Sequence, residues 1–451
     1  MSVVKKGYRL ENRPLTRVLG LVFVALFATG CTGDSLHGER SADPLAGQAI
    51  YADVETYSSV GVHRTGSEGD LATVAWLASE LRTAGFETDT QRWTSDLFFL
   101  DHCGVGLGDL EVECFPFWQP HPTGGDGLRA PAVPFTSETD PEGLRDRIAF
   151  LDSATVGGGH FKLGVAPAVL DSGAVGAVYV VANDTGELVA QNAIPPFDRQ
   201  PLPIPAVIVG QKDEEVLRQA AERGAELRIR IEGEFAEDAE AFNVVGVLER
   251  GPRWIVVSTP ISGWFGCGGE RGPGVALWLA LARWAAMHDS DLSFLFVGTS
   301  GHELDNMGAH HFAASGIAPA PEDVVVWLHL GASIGTRLWE DSASGCLPLA
   351  TRNPGNLVGS PELMPILEAA FGGLPALVPR SGESKGELRV VLEHGYRAFG
   401  FYGGHPWFHT PRDMPESTEP AFLEPIAHAC VAALEAAGES FMHEPAGLPG
   451  Q

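Results

Sequence analysis

The stretch 254–297, WIVVSTPISGWFGCGGERGPGVALWLALARWAAMHDSDLSFLFV, decides the fold. Trp254 to Ser258 is a continuous apolar run of strand length, Gly274 to Met287 is apolar on every side, and Leu292 to Val297 is a second apolar run. A strand without alternation is covered on both faces, and a helix without a polar face is covered all round. Strand, helix and strand in that order make one unit of a mostly parallel sheet packed between helices.

Working outward, the same texture recurs. Phe242 to Leu248 precedes the unit as a strand, Val324 to Leu328 follows it, and Glu362 to Phe371 and Phe422 to Ala437 read as helices. Near the start, Leu71 to Ala84 has helical apolar spacing and stops at Gly85, a C-cap glycine, before the alternating strand 86–90. Between about 96 and 238 prolines and glycines are dense and short strands dominate: 147–151, 176–181 and 205–209, with helices at 166–172 and 214–224 and an alternating strand at 225–232. The expected architecture is an α/β three-layer sandwich with a mostly parallel mixed sheet, interrupted by a β-rich insertion. The expected domains are 49–95 with 239–440, the insertion 96–238, and a tail at 441–451.

Lys5, Lys6, Arg9, Arg13 and Arg17, then the apolar run Leu19 to Phe27, then Ala28-Thr29-Gly30-Cys31, form the pattern of a bacterial secretory signal over 1–30. The ending is like a lipoprotein signal, with Cys31 as the lipidated residue and 31–48 as a tether; a plain secreted protein is the other reading. Cys103 and Cys114 can pair in an oxidising compartment. A formal net charge of -28 excludes nucleic acid as a partner.

Three segments place metal-type side chains just after apolar strands: Gly301-His302-Glu303, Leu328-His329-Leu330 and Phe408-His409-Thr410-Pro411-Arg412-Asp413. In an open α/β sheet such strand ends converge on one crevice. Trp264, Phe265, Trp407 and Phe408 either line an apolar substrate pocket there or pack in the core. Cys267 reads as a buried structural thiol, with a thiol nucleophile or metal ligand as the other reading. Glu270 beside Arg271 reads either as a ligand or as an ion pair in a glycine-rich turn.

In order and spacing, "FNVVGVL", "WIVVST", "GERGPGVALWLALAR", "FLFVGTSGHEL", "VVVWLHLG" and "FHTPRDMPE" resemble the zinc aminopeptidases of the bacterial leucyl aminopeptidase and aminopeptidase Y type, which include glutaminyl cyclases. The insertion resembles a protease-associated (PA) domain, chiefly through "IPAVIVGQKD". The resemblance implies metal ligands at Glu270, Glu303 and His409, with His329 as a further ligand or hydrogen-bond donor. It also shows departures: Thr259 stands where a ligand histidine is expected, His302 where the catalytic glutamate is expected, and His329 where an aspartate is expected. Two carboxylates and one imidazole make a three-ligand zinc site, so one zinc ion is expected. With an ordinary pKa of about 6.5, His302 would serve as the general base, with direct binding of the metal as the other reading. The implied activity is an exported, membrane-anchored zinc hydrolase acting on peptides or small amides with a free N-terminus. The alternatives are a single-zinc acyl transferase like glutaminyl cyclase, and a binding protein that has lost catalysis.

Overall fold

The computed structural model describes residues 43–443, except 137, 159–160, 195–200, 343–344, 353–354 and 375. The signal segment, Cys31, the tether up to residue 42 and the tail from residue 444 lie outside the described residues.

Helices α1 (Gly47–Ser59) and α2 (Glu68–Thr83) lead into strands β1 (Glu87–Leu107), β2 (Leu110–Pro116), β3 (Leu128–Pro134) and β4 (Ile148–Leu151). After the short helices α3 (Ser153–Val156) and α4 (Pro167–Leu170) come β5 (Gly176–Val181), β6 (Ala206–Gly210), α5 (Glu214–Glu222) and β7 (Glu226–Leu248). The chain continues through β8 (Trp254–Pro260), α6 (Gly272–Met287), β9 (Ser293–Thr299), α7 (Met307–Ala313) and β10 (Val324–Leu330). A hairpin of β11 (Arg337–Ser342) and β12 (Gly345–Arg352) precedes β13 (Asn356–Gly359), α8 (Met364–Phe371), β14 (Pro379–Arg380), α9 (Glu387–Glu393), β15 (Ala398–Tyr402) and α10 (Pro420–Phe441).

Among the described residues the main sheet has 13 strands in the order β1-β2-β6-β5-β4-β3-β7-β9-β8-β10-β15-β13-β14. At its centre β9, β8, β10 and β15 run parallel to one another, while β7 and β13 flank them antiparallel. Helices cover both faces, as the apolar strands require. On one face α1, α2, α6, α8 and α10 build the largest core, with Trp278 of α6 fully buried. On the other, Phe312 of α7 and Leu388 and Val391 of α9 close a smaller one over Val256, Leu295 and Trp327. Helix α6 is buried from Gly272 to Ala282 on all sides, which is why it carries no polar face. Gly274 is required there, since a Cβ would meet the backbone oxygens of Leu330 and Gly331 at 3.0 and 2.9 Å.

Sequence and structure part company at β1 and β7. The alternation at 225–232 and the apolar run at 242–248 read as separate strands, but they are the two ends of one strand, paired antiparallel along its length with β1. A register shift between Ser95 and Leu97 bends the pair, opposite Asp238 at φ 52°. Beyond the bend, β1, β2, β6, β5, β4, β3 and β7 pair in a ring that closes on itself. The ring has its own core around Val105, Ile148, Val178, Val207 and Ile229. Its outer connection is bridged by Cys103–Cys114, the pairing anticipated from sequence.

Candidate active site

The ends of the four parallel strands supply the site. After β8 the chain turns through Ser262 to Cys267 and Glu270. After β9 it gives His302 and Glu303, β10 carries His329, and β15 leads to His405, His409 and Asp413. Glu270, Arg271, Glu303, His329, His409 and Asp413 are all buried. The anticipated convergence is real; its centre is not what the ligand types suggested.

The middle of the cluster is the guanidinium of Arg271, fully buried. Its Nη2 lies 2.9 Å from Glu270 Oε1 and 2.8 Å from Glu303 Oε1, and its Nε donates to the Ser262 carbonyl at 2.9 Å. Ser262 Oγ donates to the other Glu303 oxygen at 2.8 Å. Burial works against the Glu270 carboxylate, yet Arg271 and His409 outweigh it and hold its pKa well below the ordinary carboxylate range. Burial likewise works against the Arg271 charge, and Glu270 and Glu303 outweigh it and raise its pKa further.

His409 reaches the same oxygen, Nε2 to Glu270 Oε1 at 3.3 Å. Its Nδ1 donates to the Ala190 carbonyl at 3.0 Å, so the Nε2 contact becomes an ion pair only when the ring carries a second proton. Phe408 stacks on the imidazole with centroids 4.3 Å apart. His409 and Cys267 both take left-handed backbone, φ 61° and 45°, which costs about 1–2 kcal/mol for a residue with a Cβ. Such strain persists where the surroundings fix the side chain in one place.

Asp413 explains why the Thr-Pro turn matters. Its carboxylate accepts from the backbone N–H groups of Gly269 and Glu270 at 2.8 and 2.9 Å, and from Ser417 Oγ at 3.2 Å. It also takes His405 Nε2 at 2.9 Å, whose Nδ1 is paired with Ser333 Oγ. Asp413 thus ties the turn that carries Glu270 to the turn that carries His409.

The zinc set read from the sequence needs correction. Cys267, Glu270 and Asp413 are the group of metal-type donors gathered within 4.8 Å among the described residues. The quartet Glu270, Glu303, His409 and His329 does not gather in that way, because Arg271 stands between its two carboxylates. His329 instead pairs its Nδ1 with Ser258 Oγ at 3.0 Å. Burial pushes its pKa down to about 4, keeping it neutral. Thr259 Oγ1 is spent on the Leu330 carbonyl. The observed trio is no better: the Asp413 oxygens are filled by the protein's own donors, and burial first, then Glu270, keeps the Cys267 thiol protonated. A zinc ion does not fit this arrangement, since its ligands are already neutralised by an internal cation.

His302 also differs from expectation. Burial, with the Arg271 charge adding to it, lowers its pKa to about 3 rather than leaving it near its ordinary value. Its Nδ1 lies 3.1 Å from Glu387 Oε1, and Thr299 Oγ1 donates to the other Glu387 oxygen at 2.6 Å. Glu387, at the start of α9, was missed in the sequence because nothing local marks that short helix. Arg271 was legible only as one half of an ion pair with Glu270.

A cleft of about 710 Å³ leads to the site, lined by Arg64, Leu97, Phe99, Trp118, Trp264 and Glu303, among others. Of the four aromatic residues singled out, Trp264 lines this cleft, while its ring also packs with Phe265 against Phe115 of the ring's second core. Trp407 and Phe408 do not line it. Trp407 lies under the Arg412 guanidinium, and Phe408 backs His409. Over the crevice runs segment 188–193. Ala190 N donates to the His409 carbonyl and Ala193 N to the Glu303 carbonyl, both at 2.9 Å, and Asn192 Oδ1 accepts from Trp264 Nε1.

Solved structures share this arrangement of strands and helices. The chain superposes on a zinc aminopeptidase from Bacillus subtilis with a TM-score of 0.67, at 18% identity, covering 88% of this chain and 95% of that one. The fold is that of the zinc aminopeptidases. A peptidase M28 precursor from Shewanella amazonensis matches with a TM-score of 0.67 at 16% identity, covering 89% and 95%. An aminopeptidase from an Aneurinibacillus strain matches at 0.60 and 16%, covering 87% and 94%. No family model and no curated protein matches the sequence. The aminopeptidase-type fold therefore holds this crevice, and zinc is the metal that the fold implies; Arg271 is what this chain puts among the expected ligands.

Proposed function

We propose that this protein is an exported recognition protein of the aminopeptidase fold, taking the free N-terminus of a peptide or small amide into the cleft that ends at Glu303. The carrying observation is the charge where the cleft ends, at Glu303 and the groups buried behind it. Glu270, Glu303 and Arg271 together leave one excess negative charge in a buried pocket. A ligand ammonium balances it. Buried charge without a partner is costly, so a cation is favoured over a neutral or anionic group. Trp264, Trp118 and Phe99 offer aromatic walls to the rest of the ligand.

A second reading, hydrolysis of the same ligands, is favoured by His302, held by Glu387 as a base is held by its orienting carboxylate. Its low pKa makes it a weak base, and no zinc step is available to it in this arrangement. The acyl-transferase reading depends on zinc in the same way. Export is supported by the signal-like first 30 residues and by the Cys103–Cys114 disulfide, which suits an oxidising compartment. Lipidation at Cys31 and a PA-like unit at 96–238 belong to the same proposal; the closed strand ring with its own core supports the latter.

One experiment separates the readings. A panel of short peptides, each with a free and an N-acetylated form, is titrated by calorimetry, and the same mixtures are analysed for cleavage by mass spectrometry. Recognition is expected to give saturable binding that acetylation abolishes, with no product. Cleavage lost in His302→Ala would establish the hydrolase instead. Equal binding of acetylated peptides would reject the ammonium site.

A further inference from the structure

We propose that Arg271 is the resident cation of this crevice, standing between Glu270 and Glu303 in place of a metal ion, so that the chain holds no zinc there. The inference concerns what sits among the ligands, not what the cleft binds. A metal-free chain that binds no peptide would overturn the recognition reading alone.

A single Nη2 atom is within 2.9 Å of both carboxylates, and the guanidinium is anchored by Nε on the Ser262 carbonyl. A zinc ion bound at about 2.0–2.2 Å from those same oxygens would sit in contact with the guanidinium. Two like charges at that separation repel strongly among buried groups. Arg271 cannot shed its proton to make way, because both carboxylates favour its charged form. Nor has it space to swing aside: it is fully buried, with Cys267 and the Ser262 turn packed against the same loop.

The remaining donors still have metal-ligand spacing. Ligand atoms at tetrahedral angles on zinc lie about 3.3 Å apart by simple geometry, and His409 Nε2 is 3.3 Å from Glu270 Oε1. His409 Nδ1 donates to a backbone carbonyl, the arrangement that orients a ligating imidazole. Removing the guanidinium would therefore leave two buried carboxylates and an imidazole with no cation among them. That is a latent zinc site, masked by one side chain.

The test is metal uptake by the full chain. Wild type, Arg271→Asn, Arg271→Lys and Arg271→Asn/His409→Ala are offered zinc, dialysed, and assayed for metal by mass spectrometry, with thermal unfolding recorded with and without zinc. The wild type and Arg271→Lys are expected to retain essentially no zinc and to unfold at the same temperature either way. Arg271→Asn is expected to gain one zinc per chain and to be stabilised by it, and both gains are expected to vanish on adding His409→Ala. A wild type that retains one zinc, lost in Glu303→Gln, overturns the proposal even if Arg271→Asn fails to fold. A folded Arg271→Asn that retains none overturns the latent site.

Discussion

The ionisation of single buried side chains is open to measurement. Asp70 of α2 is the clearest case. It is fully buried, accepts from Gly66 N and Ser300 Oγ at 2.8 Å each, and burial lifts its pKa to about 7. An acid with a raised folded pKa favours the folded state below its unfolded value near 4, and that advantage is lost as pH rises through about 7. Asp70→Asn removes this dependence. Relative to wild type, the variant should therefore gain stability between pH 5 and pH 8, by about 1–3 kcal/mol, read from urea unfolding at the two pH values. A constant difference across that range would show that Asp70 keeps an ordinary pKa. At this scale the sequence was partly legible. His409 stood out because it follows a buried strand in a Thr-Pro turn, in company with His302, Glu303 and His329, whereas the tie that Asp413 makes to the Glu270 turn was not legible. His302 was legible as a position but not as a base of low pKa, because burial is not written in the neighbouring residues.

Segment 188–193 is the element that joins the strand ring to the crevice. All its residues but the half-buried Asn192 are buried, although it forms no helix or strand. It is held by bonds to the backbone of His409 and Glu303, not by a ladder. Ala190→Pro deletes the N–H that reaches His409. The loss of that buried bond should cost about 1–3 kcal/mol. It should also speed hydrogen exchange across 405–413, measured by mass spectrometry, with the strands of the central sheet unaffected. Unchanged exchange would mean that the segment merely rests on the site. Helix α6 and strands β8, β9 and β10 were legible because their apolar runs have no polar face to expose. Segment 188–193 was not, since its burial comes from the crevice it covers and not from any period of its own.

Across the whole molecule, two halves share β1 and β7 and are joined again by the loop after β8. Trp264 and Phe265 leave the central sheet and pack in the core of the strand ring, beside Phe115. This connection predicts one cooperative unfolding transition, seen alike by tryptophan fluorescence and far-ultraviolet dichroism. Trp264→Ala should cost about 3–5 kcal/mol and uncouple the halves, so that the two probes report different midpoints. Coincident midpoints in the variant would place the coupling in β1 and β7 alone.

The sequence by itself determined the layered α/β fold and the set of strand ends that meet, because apolar periodicity and turn chemistry are local properties. Tertiary structure decided that β7 is one strand, that segment 188–193 roofs the crevice, and that the cation among Glu270, Glu303 and His409 is Arg271. The reason is physical. A list of ligand types fixes which groups approach one another, whereas the charge that balances them depends on which side chain fills the space between.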